Sequence, residues 1–145
     1  MVGSVERAKR DRRGIEEGKS GAFLLISDYF DEVESRLKRS EIVADKSIDL
    51  REFSPQEGML RGRLLLVDGS VLEFMEYLQE EKRLKYRFHL MDRHGKMIFR
   101  YDNAPHHNVS TFPHHKHLAD SIDESREIGI LEVLEEVEML MLNSI

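Results

Sequence analysis

All seven histidines of this 145-residue chain lie between His89 and His117, and five of them fall within twelve residues. Those five occupy two short pieces, Asn103-Ala104-Pro105-His106-His107 and Thr111-Phe112-Pro113-His114-His115-Lys116-His117. Imidazole has an ordinary pKa of about 6.5, so it can take or give a proton near neutrality. Such groups can cleave an RNA phosphodiester without a metal. One acts as base on the 2′-OH, another protonates the leaving oxygen, and fixed positive charge stabilises the phosphate as negative charge builds. On this reading His106, His107, His114, His115 and His117 are the proton-transfer candidates. Arg87, His89, Arg100, Asp102, Asn103 and Lys116 are the candidates for holding the substrate, and no cofactor is required. Tyr86 and Tyr101 could stack on bases, although their apolar neighbours favour core packing.

Two other readings use the same residues. His114 and His117, three apart, could join His106 or His107 around zinc or another divalent metal, with Asp102 adding a carboxylate. No pair of histidines four apart lies on a predicted helix, and Pro105 and Pro113 favour loop geometry. In the third reading the histidines are structural or line a partner surface, and the chain is a non-enzymatic interaction module. Glu76 stands apart from this cluster. It falls among Leu72, Phe74 and Leu78, on the face of its strand that should be apolar. An unpaired carboxylate there would be costly to bury. It reads as a strand-end residue reaching solvent, or else as a base or a partner for an arginine.

Charge separates this region from the rest. Between Lys82 and His117 there are eight Lys or Arg against two acids, Asp92 and Asp102, whereas the whole chain carries −6. After Leu118, eight acids face a single cation, Arg126. A basic segment on an acidic body can attract phosphate despite the negative total. With no cysteine, disulfides, thiolate metal sites and a cysteine nucleophile are excluded. No apolar run reaches the ~18 residues of a transmembrane helix, and the N-terminus is charged, so a cytoplasmic protein without membrane contact is expected.

The elements that must position the cluster follow from periodicity. Residues 1–20 read as a polar flexible arm, and 21–145 as a single α+β domain. From Ala22 to Arg39, the residues Phe23, Ile26, Phe30, Val33 and Leu37 make one helical stripe. Strands are predicted at Ile42–Phe53, Met59–Val67, Val71–Leu78, Leu84–Asp92 and Met97–Asp102, with Asp68-Gly69 as a two-residue hairpin turn. Tyr86, Phe88 and Leu90 alternate with Lys85, Arg87 and His89, so the cations share one face. A loop of roughly 20 residues follows Ala104-Pro105, longer than is usual without a function. Ile128–Leu142 is a second amphipathic helix. The expected architecture is an antiparallel meander of about five strands, with an N-terminal and a C-terminal helix packed on one face. The histidine loop would fold back over the other. An open sheet and an apolar C-terminal stripe also invite a homodimer.

The wording of the chemical segment adds to this. Phe99-Arg100-Tyr101-Asp102-Asn103-Ala104-Pro105-His106-His107 with Thr111-Phe112-Pro113-His114-His115-Lys116-His117 resembles the signature of the TumE family of toxin–antitoxin systems. Asp68-Gly69-Ser70, Glu76-Tyr77, Tyr86-Arg87-Phe88-His89 and Leu131-Glu132-Val133-Leu134-Glu135-Glu136 fit the same pattern, which extends roughly from Phe23 to Val137. The resemblance implies a toxin of a type II pair, held by a cognate DNA-binding antitoxin, with RNA as the expected substrate in keeping with many such toxins. The acidic net charge departs from the basic habit of RNA-cleaving toxins, and the local cationic segment restores part of it.

Overall fold

The computed structural model describes residues 25–105 and 113–143. The predicted arm at 1–20, and His106 and His107, lie outside them. The chain runs α1 (Ile26–Arg39), β1 (Val43–Ser54), β2 (Glu57–Leu66), β3 (Val71–Gln79), β4 (Lys82–Met91), β5 (Met97–Asp102), β6 (His115–His117), β7 (Ile122–Glu124) and α2 (Ile130–Asn143). The strands form one antiparallel sheet in the order β1-β2-β3-β4-β5-β6-β7, a pure meander. The α+β reading holds, with seven strands in place of about five. The two additional strands, β6 and β7, come from the stretch read as a loop. Each has three residues and little apolar content, so neither carries a hydrophobic alternation. They form by pairing successively onto the edge of β5.

Alternation sorts the sheet into two faces. Leu60, Leu64, Leu72, Phe74, Phe88, Leu90, Phe99 and Tyr101 are buried with the apolar stripes of both helices. Residues opposite one another across a sheet share a face. The register therefore draws two rows over the uncovered side. One runs Asp49, Arg61, Met75, Arg87, Asp102, His115, and the other Ser47, Arg63, Glu73, His89, Arg100, His117. The cations expected to share a face with histidines do so.

Glu76 points into the covered side and is fully buried. Its Oε1 accepts from the Tyr29 hydroxyl (2.6 Å) and the Arg83 Nε (3.0 Å), and its Oε2 from the Ile130 N–H (2.7 Å). Glu76 therefore does not reach solvent; the Arg-partner reading is the one realised. Because Ile130 opens α2, the carboxylate also satisfies one of the unpaired N–H groups at a helix start, where negative charge is favoured. Glu132 returns to the Gly129 N–H (3.0 Å), half of a capping box. A Cβ on Gly129 would lie 2.2 Å from Arg83 Nη2, so this position must stay bare for the arginine to reach Glu76.

The turns differ in detail from expectation. At Asp68-Gly69 only Gly69 has positive φ (+89°), and the Gly69 N–H bonds Leu66 O at 2.9 Å. This is a longer loop closed by a left-handed glycine, and not a two-residue turn. Two-residue connections lie at Pro55-Gln56 between β1 and β2 and at Glu80-Glu81 between β3 and β4, and at the latter φ is 51° and 71°. Left-handed backbone at a non-glycine costs about 1–2 kcal/mol per residue. Combining Glu80→Asn with Glu81→Gly, the residue types this turn favours, is expected to stabilise the fold by about 1 kcal/mol. A thermal melt should shift upward; an unchanged or lower midpoint would contradict the assignment of strain.

Candidate functional site

β6 decides the geometry. His115 and His117 project to the uncovered face, opposite Asp102 and Arg100, while Lys116 between them projects to the helices. His115 Nε2 lies 2.7 Å from Asp102 Oδ1, and His117 Nε2 lies 3.5 Å from Asp102 Oδ2. The Arg100 guanidinium bridges the same groups, with Nε 3.2 Å from Asp102 Oδ2 and Nη2 3.3 Å from His117 Nε2. The two imidazole rings meet edge to face, 4.8 Å between centroids. Arg100, Asp102, His115 and His117 thus form one connected cluster spanning two strands.

Donor chemistry fixes part of the proton arrangement. Arginine only donates, so His117 Nε2 faces Arg100 Nη2 with its lone pair. The His115 Nδ1 lies 2.8 Å from the Pro113 carbonyl oxygen, which only accepts, so Nδ1 carries a proton. His115 is completely buried, whereas the side chain of His117 keeps 12% exposure and reaches the surface of the cleft. Asp102 is anchored from behind: its Oδ1 accepts the Ala104 N–H at 3.0 Å. The cluster opens into a cleft of about 680 Å³ lined also by Met75, Lys85, Arg87, Asn103 and Pro105.

The remaining candidates divide. Arg87 is exposed at the cleft, in the row that leads to Asp102. His89 shares the row of Arg100 and His117. Asn103 sits at the rim but is occupied in holding β4, accepting from the Tyr86 N–H and donating to Leu84 O, each at 3.1 Å. Lys116 is turned away from the cleft. It pairs with Glu136 of α2 at 2.8 Å and lies over the rings of Phe99 and Tyr101. His114 also faces away, its Nδ1 2.9 Å from the hydroxyl of buried Tyr86. His114 and His117 are therefore not gathered into one site. Tyr86 and Tyr101 are both buried, as their apolar neighbours suggested.

Partial burial, and then the cations Arg100 and Arg87, push His89 below the usual imidazole range. The sign for stability follows. Above about pH 6.5 His89 is neutral in both native and unfolded chains. Below that value the unfolded chain takes a proton that the native chain refuses, so this group costs stability as pH falls toward the native value. An NMR titration is expected to find His89 below the free-histidine value, and Arg100→Ala to raise it. An unshifted midpoint in both proteins would contradict the packing described.

A metal fits this cluster only in part. Asp102, His115 and His117 can bring donor atoms within 4.8 Å of one another, a two-histidine, one-carboxylate set. However, the Arg100 guanidinium touches two of these three side chains, so a fixed positive charge already stands beside the position a cation would take.

A family model described as Toxin TumE matches residues 26–141, from the first residue of α1 almost to the end of α2. No curated protein and no solved structure gives a significant match. No helix among the described residues is long and apolar enough to cross a membrane. The match spans most of the chain and includes every strand of the sheet and the whole histidine segment, and on that basis the chain belongs to the TumE toxin family.

Proposed function

We propose that this toxin of a toxin–antitoxin system is a metal-independent endoribonuclease, and that Arg100, Asp102, His115 and His117 form its centre. The observation that carries the reading is the joint approach of two imidazoles, a carboxylate and a guanidinium at one wall of a cationic cleft. His117, whose side chain reaches the surface of the cleft, is the base that takes the 2′-OH proton, its Nε2 exchanging the Arg100 contact for the hydroxyl. The 2′ oxygen attacks phosphorus, the bond to the 5′ oxygen breaks, and the products are a 2′,3′-cyclic phosphate and a 5′-OH. Arg100 and exposed Arg87 stabilise the charge on the phosphoryl oxygens in the transition state. Buried His115 acts through Asp102, holding its carboxylate against Arg100 and His117. His106 and His107 remain the proposed donors to the leaving oxygen.

A toxin of this family implies an antitoxin partner; its being DNA-binding, and a cytoplasmic site of action, belong to the proposal. A homodimer is proposed through the outer end of α2, where Met139, Leu140 and Leu142 are exposed. Expression of the toxin alone is expected to arrest growth and degrade RNA, and co-expression of its cognate antitoxin to restore growth and intact RNA. Growth arrest with intact RNA would reject the nuclease reading and leave the toxin standing.

A further inference from the structure

The catalytic cleft does not end at Arg87. A second concavity, of about 380 Å³, lies on the same uncovered face and shares Met75 and Arg87 with the first. Its far wall carries Arg61 and Arg63 of β2, and its near wall Met75 and Arg87. The register runs Arg61, Met75, Arg87, Asp102 across four adjacent strands, so Arg61 stands roughly 14 Å from Asp102 at the usual spacing of about 4.8 Å.

The charges of this second concavity are not all free. Arg63 is paired with Glu73, and Asp49, the cross-strand neighbour of Arg61, is held by Arg51 at 3.1 Å. Arg61 and Arg87 are exposed, and neither makes a salt bridge among the described residues. Two uncompensated guanidiniums, separated by two strand spacings with a thioether between them, match an anionic chain whose negative charges recur along its length. A polarizable Met75 side chain on the floor offers a surface for a base. An isolated small anion would need one cation or a convergent pair, and not a spaced row.

We infer that the concavity of Arg61, Met75 and Arg87 is an extended subsite that binds the single-stranded RNA next to the scissile phosphate, with Arg87 on the scissile phosphate itself and Arg61 on the next one along the backbone. This deepens the ribonuclease reading and rests on it for the identity of the strand. It makes the enzyme selective for single strands, since a duplex would not lay one backbone along a row on a sheet while splaying a base onto Met75.

The test uses full-length toxin and RNA oligonucleotides blocked by 2′-O-methyl groups, so binding is read without turnover. Fluorescence anisotropy is measured over a range of salt for a dinucleotide and for a strand several nucleotides longer. Arg61→Ala is expected to weaken the longer strand roughly tenfold, the loss of one charge-assisted contact. It should also flatten the slope of log affinity against log salt by about 0.7. The dinucleotide, too short to reach Arg61, should be unaffected, and Arg61→Lys should recover much of the salt slope. If wild type binds the longer strand and Arg61→Ala binds it equally with the same slope, the subsite is overturned while the nuclease reading stands. If wild type binds neither strand and leaves unblocked RNA intact, the nuclease reading falls first. Weaker binding of the purified antitoxin by Arg61→Ala would then assign the groove to an acidic protein segment, which also overturns the inference.

Discussion

His117→Ala is expected to lower the rate of RNA cleavage by about 10²–10⁴-fold, the usual worth of a positioned proton-transfer group. The fold should be little disturbed, because His117 lies at the surface of the cleft on a three-residue strand. Asp102→Asn should be as damaging by a different route. It keeps the shape of the side chain but removes the negative charge that Arg100 contacts at 3.2 Å and that His115 and His117 face at 2.7 and 3.5 Å. The guanidinium would then be free to swing away from the position where phosphate charge develops. His115 is the informative contrast. It has no exposure, so its replacement by alanine leaves a void and disturbs Asp102 without removing a group that touches substrate. His115→Ala should therefore reduce both activity and thermal stability, whereas His117→Ala should reduce activity alone. Equal activity of His117→Ala and wild type would remove the histidine from the chemistry.

Glu76→Ala is expected to destabilise the native state by about 3–5 kcal/mol, the range for breaking a buried ion pair by removing one partner. Removing the carboxylate takes one partner from each of three groups. Arg83, with only 16% of its side chain exposed, loses its buried counter-charge; the Tyr29 hydroxyl and the first N–H of α2 lose an acceptor. All three lie between the sheet and the helices, so α1 and α2 should both loosen. Glu76→Gln should cost less, since an amide oxygen in the Oε1 place still accepts from Tyr29 and Arg83, although its NH₂ would then face the Ile130 N–H. Burial raises the Glu76 carboxyl above the usual carboxylate range, and Arg83 opposes that rise. A raised native value means that the native chain holds this proton longer than the unfolded chain. The proton-linked part of its contribution, separate from the hydrogen bonds and ion pair themselves, is present at low pH and is lost as pH rises through the native value. Equilibrium unfolding of the two variants in urea measures both effects; an alanine variant within 1 kcal/mol of wild type, on the order of a single surface contact, would contradict the keystone role.

Much of the frame was legible because burial and periodicity act locally. The stripe of Ile26, Phe30, Val33 and Leu37 is the buried side of α1, and the alternation of Tyr86, Phe88 and Leu90 against Arg87 and His89 gives the two faces of β4. Glu76 was legible as an anomaly: its strand phase was right, and the carboxylate does lie on the covered face. Its partners were not legible, because Tyr29 and Ile130 are 47 and 54 residues away and only the tertiary fold brings them in. β6 was hidden for another reason. In His115-Lys116-His117 the polar residues alternate with one another, so no hydrophobic pattern marks a strand, and its existence depends on a free edge of β5. That single strand sorts the site. It sends His115 and His117 to Asp102 and Arg100, and Lys116 to Glu136 on the other side. Spacing alone ranked His114, Lys116 and His117 together; pleating separates them.

The most direct test of the nuclease centre is the chemistry of the cut ends. Purified toxin is incubated with a defined single-stranded RNA in the presence of a strong chelator, and the fragments are read by mass spectrometry. Cleavage is expected to persist in the chelator, giving a 2′,3′-cyclic phosphate on one fragment and a 5′-OH on the other, and to be lost in His117→Ala. Intact RNA under these conditions, or cleavage that appears only when a divalent metal is added back and leaves a 5′-phosphate, would contradict it.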